Sequence, residues 1–318
     1  MKSLHLTFII LVLFVNQAFS RQDDAVLLQI SLSGSLQNPT FSVDEHSILF
    51  TRFRDGYNLG ISDLYIYNLQ TQVLTPLVND GNSNVNLPGS SWNQLTDKIT
   101  FSSTRSDHDE IYIISSNGTP INGSQITSRL TKQSYEPSFS ADGQWLVFET
   151  HNIDVEQGVI TKYKIDNSSS YVDLTTILIN AKQPNWSPGG SKILYQQESI
   201  NGWAIWIMDD DGSNKTQITN STSESATDAV FSANGQWIIY SSENTNTNRA
   251  SIYRINTQGG IPIRLSNDTA YDGAPSISKD GTTLIFESIN ANPEGSAGTS
   301  LWLIKQDAFD LIFKGGFE

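Results

Sequence analysis

Residues 139–150 read FSADGQWLVFET, and close variants of this stretch recur along the chain. Six copies align, beginning at Phe41, Trp92, Phe139, Trp186, Phe231 and Ile277. The aromatic residue that closes the apolar run of each copy recurs at intervals of 51, 47, 47, 45 and 46 residues, at Phe50, Phe101, Phe148, Tyr195, Tyr240 and Phe286. A repeat of about 40 to 50 residues is typical of solenoids and propellers.

Each period contains the signals of four strands. Asp142-Gly143 and Asn234-Gly235 predict tight hairpins, and the continuously apolar runs that follow are typical of strands covered on both faces. A third strand follows, as in EIYIIS and AIWIMD. The fourth is predicted to close on an apolar residue followed by Thr or Ser, at Leu74-Thr75, Leu130-Thr131, Leu174-Thr175, Ile218-Thr219 and Leu265-Ser266. The sequence therefore predicts an all-β, six-bladed propeller of four-stranded antiparallel blades.

The sixth copy lacks a fourth strand, whereas the chain has an additional apolar segment, AVLLQISLS, before the first copy. Leu32-Ser33 in this segment precedes Pro39 by the same interval that separates Leu130 from Pro137. We therefore expect the N-terminal strand to complete the last blade and to close the ring without an exposed sheet edge.

Composition excludes several classes of function. The 318 residues include no cysteine, which excludes disulfides, thiolate metal sites and cysteine nucleophiles. The net charge of −14 disfavours phosphate backbones, so nucleic acid is not expected as a partner. Residues 1–20 have Lys2, an apolar run, and then Ala18 and Ser20 before a cleavage position, as in a secretory signal peptide. No later stretch is long and apolar enough to cross a membrane, so we expect a periplasmic or secreted protein. We also expect it to be a monomer.

The repeats resemble those of the TolB propeller family over residues 26–305. The segment QPNWSPGGSKILY, followed by AIWIMDDDGSNKTQIT, carries the resemblance most clearly. The resemblance implies a propeller over residues 21–306, with residues 307–318 as a C-terminal tail. In that family the propeller follows a separate N-terminal domain and binds a lipoprotein partner across one face. Here we expect the propeller alone, acting as a non-enzymatic binding module in the cell envelope.

Propellers usually bind ligands on the face that carries the loops between blades. The repeat alignment places polar and aromatic residues near the channel on that face, and we expect them to bind a protein partner or an envelope ligand. They are Tyr135, Glu136, Lys182, Asp228, Tyr271 and Asp272. The alternative interpretation is that they are solvated loop residues that keep neighbouring blades apart.

A second hypothesis involves two further loops on the same face, RSDHDE and HNIDVE. Their imidazoles and carboxylates are suitable ligands for a divalent metal, and the candidates are Asp107, His108, Asp109, His151 and Asp154. The spacing matches no strict metal motif, so a hydrated acidic rim is the alternative, and no other cofactor is expected. With a metal, the protein would be a lyase or hydrolase acting on a polysaccharide or peptide. A serine hydrolase is not indicated, because EGSAG at residues 294–298 lacks the first glycine of a nucleophile elbow.

Overall fold

The computed structural model describes residues 24–82, 84–86, 91–120, 123–165, 170–220, 224–244, 246–247, 249–289 and 298–305. All regular elements in these ranges are β-strands, 24 in number, which confirms the predicted all-β class. Within the same ranges no helix has the length and apolarity needed to cross a membrane. The predicted signal segment and the tail at residues 307–318 lie outside the described residues.

Four sheets contain four antiparallel strands each, in chain order. The first contains β2 (Ser35–Phe41), β3 (Ser47–Phe53), β4 (Ser62–Asn68) and β5 (Leu74–Val78). The second contains β6 (Val85–Asn86), β7 (Lys98–Ser103), β8 (Glu110–Ser115) and β9 (Ser124–Gln125). The third contains β10 (Lys132–Phe139), β11 (Trp145–Asn152), β12 (Val159–Lys164) and β13 (Tyr171–Asp173). The fourth contains β14 (Ala181–Trp186), β15 (Lys192–Ser199), β16 (Gly202–Asp209) and β17 (Thr216–Gln217).

The prediction of six separate blades needs correction, because the other eight strands form one sheet. One half of it is β18 (Glu224–Phe231), β19 (Trp237–Asn244), β20 (Arg249–Asn256) and β21 (Ile263–Arg264). The other half is β22 (Tyr271–Ile277), β23 (Thr283–Ile289), β24 (Ser300–Lys305) and β1 (Val26–Leu27). A single parallel pair, Ala250 with Tyr271, joins the two halves. The structure thus has four separate four-stranded sheets and one sheet of eight strands, which the repeat period alone did not reveal.

The stretch at residues 139–150 forms the predicted hairpin between β10 and β11. The Asp142 carboxylate accepts hydrogen bonds from the Ser140 hydroxyl (2.5 Å) and the Gln144 amide (3.0 Å). Gly143 has φ +67°, and a Cβ there would lie 2.8 Å from the Thr96 side chain of the preceding sheet. A glycine is therefore required by both the turn conformation and the packing between sheets.

The hydrophobic core lies between neighbouring sheets. Phe148 is fully buried and packs in one cluster with Phe139 of its own sheet and Ile113 of the preceding sheet. Trp92 and Trp186 lie in equivalent clusters between neighbouring sheets. Because both faces of a sheet are covered in this way, the second and third strands are continuously apolar.

The N-terminal strand pairs with the last strand, as predicted. The residues that pair lie four positions earlier in the sequence than the predicted Leu32-Ser33. Val26 pairs with Leu303, and Leu28 donates its amide to Leu301 O (2.9 Å). In the second sheet the equivalent hydrogen bond is donated by the Ile126 amide. Leu130, where the fourth strand was predicted to end, is highly exposed. The expected Leu32-Ser33 and Leu130-Thr131 strand ends are therefore wrong, because the loop that follows the fourth strand varies in length.

Candidate binding site at the acidic mouth

Five of the first strands contain a bulge at the same place. The strand register shifts between Gln37 and Thr40 in β2, and equivalent shifts occur in β10, β14, β18 and β22. Within each shift one residue has left-handed backbone geometry, with φ of 51°, 48°, 48°, 54° and 44° at Asn38, Glu136, Gln183, Asp228 and Ala274. Left-handed geometry costs about 1–2 kcal/mol for such residues, so neighbouring contacts must hold it in place.

These five residues, which we call the acidic mouth, line one narrow cavity. Its volume of about 30 Å³ is close to the share of a single water molecule in the liquid. The bulges bring the five residues together because each one turns the first strand locally and re-aims its side chain. The sequence-predicted Glu136 and Asp228 are thus placed side by side with three residues that were not predicted.

Gln183 is the centre of the hydrogen bonding in the acidic mouth. Its side-chain amide donates to Glu136 Oε1 (3.3 Å) and to Asp228 Oδ1 (2.9 Å). Its side-chain oxygen accepts from the Asp228 backbone amide (3.1 Å). One neutral side chain therefore fixes two carboxyl groups from different sheets.

Carboxyl groups also link three pairs of neighbouring units through the left-handed residues. Glu149 Oε2 accepts from the Gln183 backbone amide (3.1 Å), and Asp228 Oδ2 accepts from that of Ala274 (3.4 Å). Glu287 Oε2 accepts from the Asn38 amide (2.9 Å), which connects the last strands to the first sheet. These bonds supply contacts that hold the strained backbone at Gln183, Ala274 and Asn38.

Burial dominates the electrostatics of the carboxyl groups. It raises the pKa of Glu287 to about 8, and the neighbouring Asp228 raises it further while the Asn38 amide opposes the shift. Burial also raises the pKa of Glu136 well above its ordinary value, with the charges of Glu149 and Asp228 acting in the same direction. The pKa of Asp228 is raised by burial as well. Glu287 therefore holds a proton at neutral pH that an isolated carboxyl group would release.

Tyr57 extends from the loop between β3 and β4 to the same cluster. Its hydroxyl is hydrogen-bonded to Glu287, and the charge of Glu287 is the main cause that raises the pKa of Tyr57. The side chain remains partly exposed. Tyr57 thus lies where a ligand entering the acidic mouth would meet it.

One polar atom of the cluster has no partner. Glu136 Oε2 is buried and accepts no hydrogen bond, whereas Oε1 of the same group is bonded to Gln183. An unsatisfied buried carboxyl oxygen costs about 1–3 kcal/mol or more, and it is a free acceptor beside the cavity.

The other predicted partner-binding residues surround the cluster, with one exception. The Tyr135 ring contacts the His151 ring edge-on (5.1 Å between centroids), and Lys182 Nζ lies 5.8 Å from the Trp203 ring centroid. The Tyr271 hydroxyl donates to Glu243 (3.5 Å). Asp272 is the exception and corrects the prediction, because it is 0% exposed and accepts from the Ser266 hydroxyl (2.6 Å).

The candidate metal ligands are separated by other contacts. His108 Nε2 lies 3.1 Å from Glu110 and 3.0 Å from Arg129 O, while His151 is paired with Glu149. A hydrogen bond to Tyr135 opposes the burial that raises the pKa of Asp109 to about 6. Asp107 and Asp154 are exposed. Among the described residues, no three His, Cys, Asp or Glu side chains are arranged to hold a metal ion.

Sequence analysis missed Asn38, Gln183, Glu149 and Glu287. Signals for them were present, because Asn38 and Gln183 each precede one of the repeated prolines. Glu149 and Glu287 each directly follow the aromatic residue that closes a repeat. A buried Glu at a position that is Thr, Ser or Gln in the other copies indicates a special role for that position.

The stacked four-stranded sheets and their axial cavity define an all-β propeller. The chain belongs to the TolB beta propeller domain family, whose sequence profile matches residues 13–224 and 178–299. A comparison with curated protein sequences finds no significant match.

Several solved structures are similar. TolB from Acinetobacter baumannii superposes with a TM-score of 0.62 at 16% identity, over 86% of this chain and 64% of that chain. This chain therefore spans less than two thirds of the length of that TolB. Oligogalacturonate lyase from Vibrio parahaemolyticus gives a TM-score of 0.57 at 15% identity, over 90% and 77% of the two chains. An oligogalacturonate lyase in complex with manganese gives 0.56 at 14% identity, over 90% and 92%. At these identities the likeness concerns the fold alone.

Proposed function

We propose that this protein is a non-enzymatic propeller module of the cell envelope that binds a protein partner at the acidic mouth. The observation that carries the proposal is the buried, unpartnered Oε2 of Glu136 beside the cavity. The signal-like segment at residues 1–20 supports export to the periplasm or beyond.

The chemistry of the acidic mouth favours a partner segment with a basic side chain. Glu136, Asp228 and Glu287 contribute three carboxyl groups from three sheet units, and the first two line the cavity. A lysine or arginine of the partner would donate to Glu136 Oε2 and would stabilise the ionised form of its neighbours. Partner binding should therefore release protons and become tighter as pH rises.

The test is a cross-linking pull-down from the native envelope with the tagged protein and two single variants. Glu136→Gln removes the ability of this side chain to ionise, with little change in shape. Asp211→Asn is the matched control, because Asp211 is exposed in the turn between β16 and β17. We expect one dominant partner that Glu136→Gln loses and Asp211→Asn keeps. Equal recovery by all three proteins would reject the acidic mouth as the docking site.

We also infer that the eight-stranded sheet behaves as two blades, which gives a six-bladed ring. The single pair between Ala250 and Tyr271 supports this inference, since eight strands of one open sheet would share a full ladder. Contacts between the first and last units support it too, because the Ser35 and Thr299 hydroxyls lie 2.7 Å apart.

The ring can be tested in the cysteine-free background. A Ser35→Cys, Thr299→Cys double variant should form an intramolecular disulfide on mild oxidation, detected by mass spectrometry after proteolysis. A variant that folds but never forms this bond would indicate that the first and last units separate in solution.

A further inference from the structure

A second concave site lies where the first strands lead into their hairpin turns, and it shares Asn185 and Val230 with the cavity of the acidic mouth. We call it the funnel, and its volume is about 540 Å³, within the usual range for ligand sites. Every sheet unit contributes to its lining through the end of the first strand and the following hairpin turn. Phe41, Trp92, Phe139, Trp186 and Phe231 are the aromatic residues of the lining.

Part of the rim of the funnel is apolar. Leu95 is 73% exposed there, and Ala141, Pro188 and Ala233 occupy related positions in the turns of other units. A leucine with this exposure beside an aromatic lining is an unfavourable surface in water, so an apolar occupant would be stabilised by burial.

The lining also has no net charge. Its charged side chains are Glu45 and Lys279, and the Glu45 carboxylate accepts from the Lys279 backbone amide. Lys279 Nζ donates to Val43 O (2.7 Å). The funnel therefore offers no free charge pair to a charged ligand, in contrast to the acidic mouth.

The last described residue of the chain, Lys305, lies on the same side of the molecule as the funnel. Lys305, the last residue of β24, pairs with Thr283, which begins β23 directly after the turn that contains Lys279. β24 is the third strand from the axis in its sheet unit, about 10 Å from the first strand at the usual spacing. The sequence continues as QDAFDLIF over residues 306–313, and eight residues can span up to about 26 Å. This reach is sufficient for the apolar part of the segment to enter the funnel.

We propose that residues 308–313 of the same chain bind in the funnel, with Phe309, Leu311 and Phe313 as the apolar anchors. The proposal is independent of partner docking at the acidic mouth. It assigns the funnel an intramolecular ligand, a short apolar peptide, and predicts that this peptide covers Leu95.

The absence of cysteine permits a direct test by disulfide trapping. The double variant Leu95→Cys, Phe313→Cys should form an intramolecular bond on mild oxidation, identified by mass spectrometry. The matched control is Ile200→Cys, Phe313→Cys, because Ile200 is 98% exposed in the turn at the other end of β15. We expect the disulfide between positions 95 and 313 to form at least about ten-fold faster than the one between positions 200 and 313. A segment bound in the funnel has a much higher effective concentration at Leu95 than a freely tethered segment would have. Equal rates, or bonds only between two molecules, would overturn the proposal.

A second measurement avoids engineered cysteines. A labelled peptide of residues 306–318 is titrated into wild type and into the triple variant Phe309→Ser, Leu311→Ser, Phe313→Ser, with fluorescence anisotropy as the readout. The variant should bind the peptide at least about ten-fold more tightly, because the native segment no longer competes. Adding Leu95→Glu, at an exposed position, should abolish this binding. Binding to neither protein, or binding that Leu95→Glu leaves unchanged, would contradict occupation of the funnel.

Discussion

The acidic mouth lies at the bulges within the first strands and the funnel lies where these strands lead into their hairpin turns, and different forces hold the two sites. At the acidic mouth the backbone is left-handed at five residues, and four of their side chains are carboxyl or amide groups. At the funnel the strands end in regular hairpins, such as that at Asp142-Gly143, and the lining is aromatic and neutral. Raised carboxyl pKa values are found at the acidic mouth, as expected where a binding site is built into a stable scaffold.

This difference predicts that the funnel end contributes more to folding than the acidic mouth. Trp186→Ala should lower the free energy of unfolding by about 3–5 kcal/mol, because it removes a large buried side chain. The Trp186 ring packs with Tyr195 and with Val147 of the preceding sheet, and Nε1 donates to Gly190 O (2.9 Å). Urea denaturation monitored by circular dichroism measures the change.

Trp203→Ala is the matched control for Trp186→Ala. Trp203 is only half-buried and lies beside Lys182 at the acidic end. Its loss should cost clearly less than that of Trp186. A larger loss for Trp203→Ala would reverse the assignment of stability to the funnel end.

The next effect is a pH dependence that belongs to the acidic mouth. Glu287 has a pKa near 8 when folded and an ordinary value of 4.5, so between these values the folded state binds more protons than the unfolded state. Stability must therefore fall as pH rises through this window, by at most about 1.4 kcal/mol per pH unit from this group. Glu287→Gln should match wild type near pH 5 and exceed its stability near pH 8, in urea titrations at both values.

The control for this pH effect is Glu198→Gln, because Glu198 is exposed on β15. Its pH dependence should equal that of wild type. The slope should not vanish in Glu287→Gln, since Glu136 and Asp228 also have raised pKa values. An unchanged slope in Glu287→Gln would show that Glu287 ionises normally.

The repeats predicted the propeller class and the hairpins because each of these depends on local signals. Phe148 and its five counterparts show the period directly, and Asp142-Gly143 specifies its own turn. The number of separate sheets was wrong, because the pairing of Ala250 with Tyr271 joins two distant segments that no local pattern records.

The acidic mouth was predicted only in part for a similar reason. Glu136 and Asp228 lie in segments that the repeat alignment places near the axis, so their location followed from the sequence. Gln183 and Glu287 reach the cluster through a bulge and through side-chain hydrogen bonds between units, and these depend on the folded arrangement. Asp272 was misplaced because strand alternation buries it against Ser266.

A smaller effect tests the neutral centre of the acidic mouth. Gln183→Leu keeps the approximate volume but removes the bonds to Glu136 and Asp228, which should lower the free energy of unfolding by about 1–3 kcal/mol. Gln144→Leu is the control, because Gln144 is exposed in a hairpin turn and its change should be close to neutral. Equal stability of both variants would mean that water molecules replace the hydrogen bonds of the Gln183 side chain without loss of stability.

The smallest expected effect decides between a binding module and a metal-assisted enzyme. A ligand that binds only the folded state raises the melting temperature, and a functional divalent site would give a shift of several degrees with excess manganese, calcium or zinc. We expect a shift below about 1 °C, because His108 and His151 are already bonded to Glu110 and Glu149. A larger shift that disappears in Asp107→Asn, Asp154→Asn would restore the metal hypothesis, since both side chains are exposed and their loss leaves the fold intact. In that case the loops RSDHDE and HNIDVE would rearrange around the ion, and catalysis rather than docking would be the reason for the polar face.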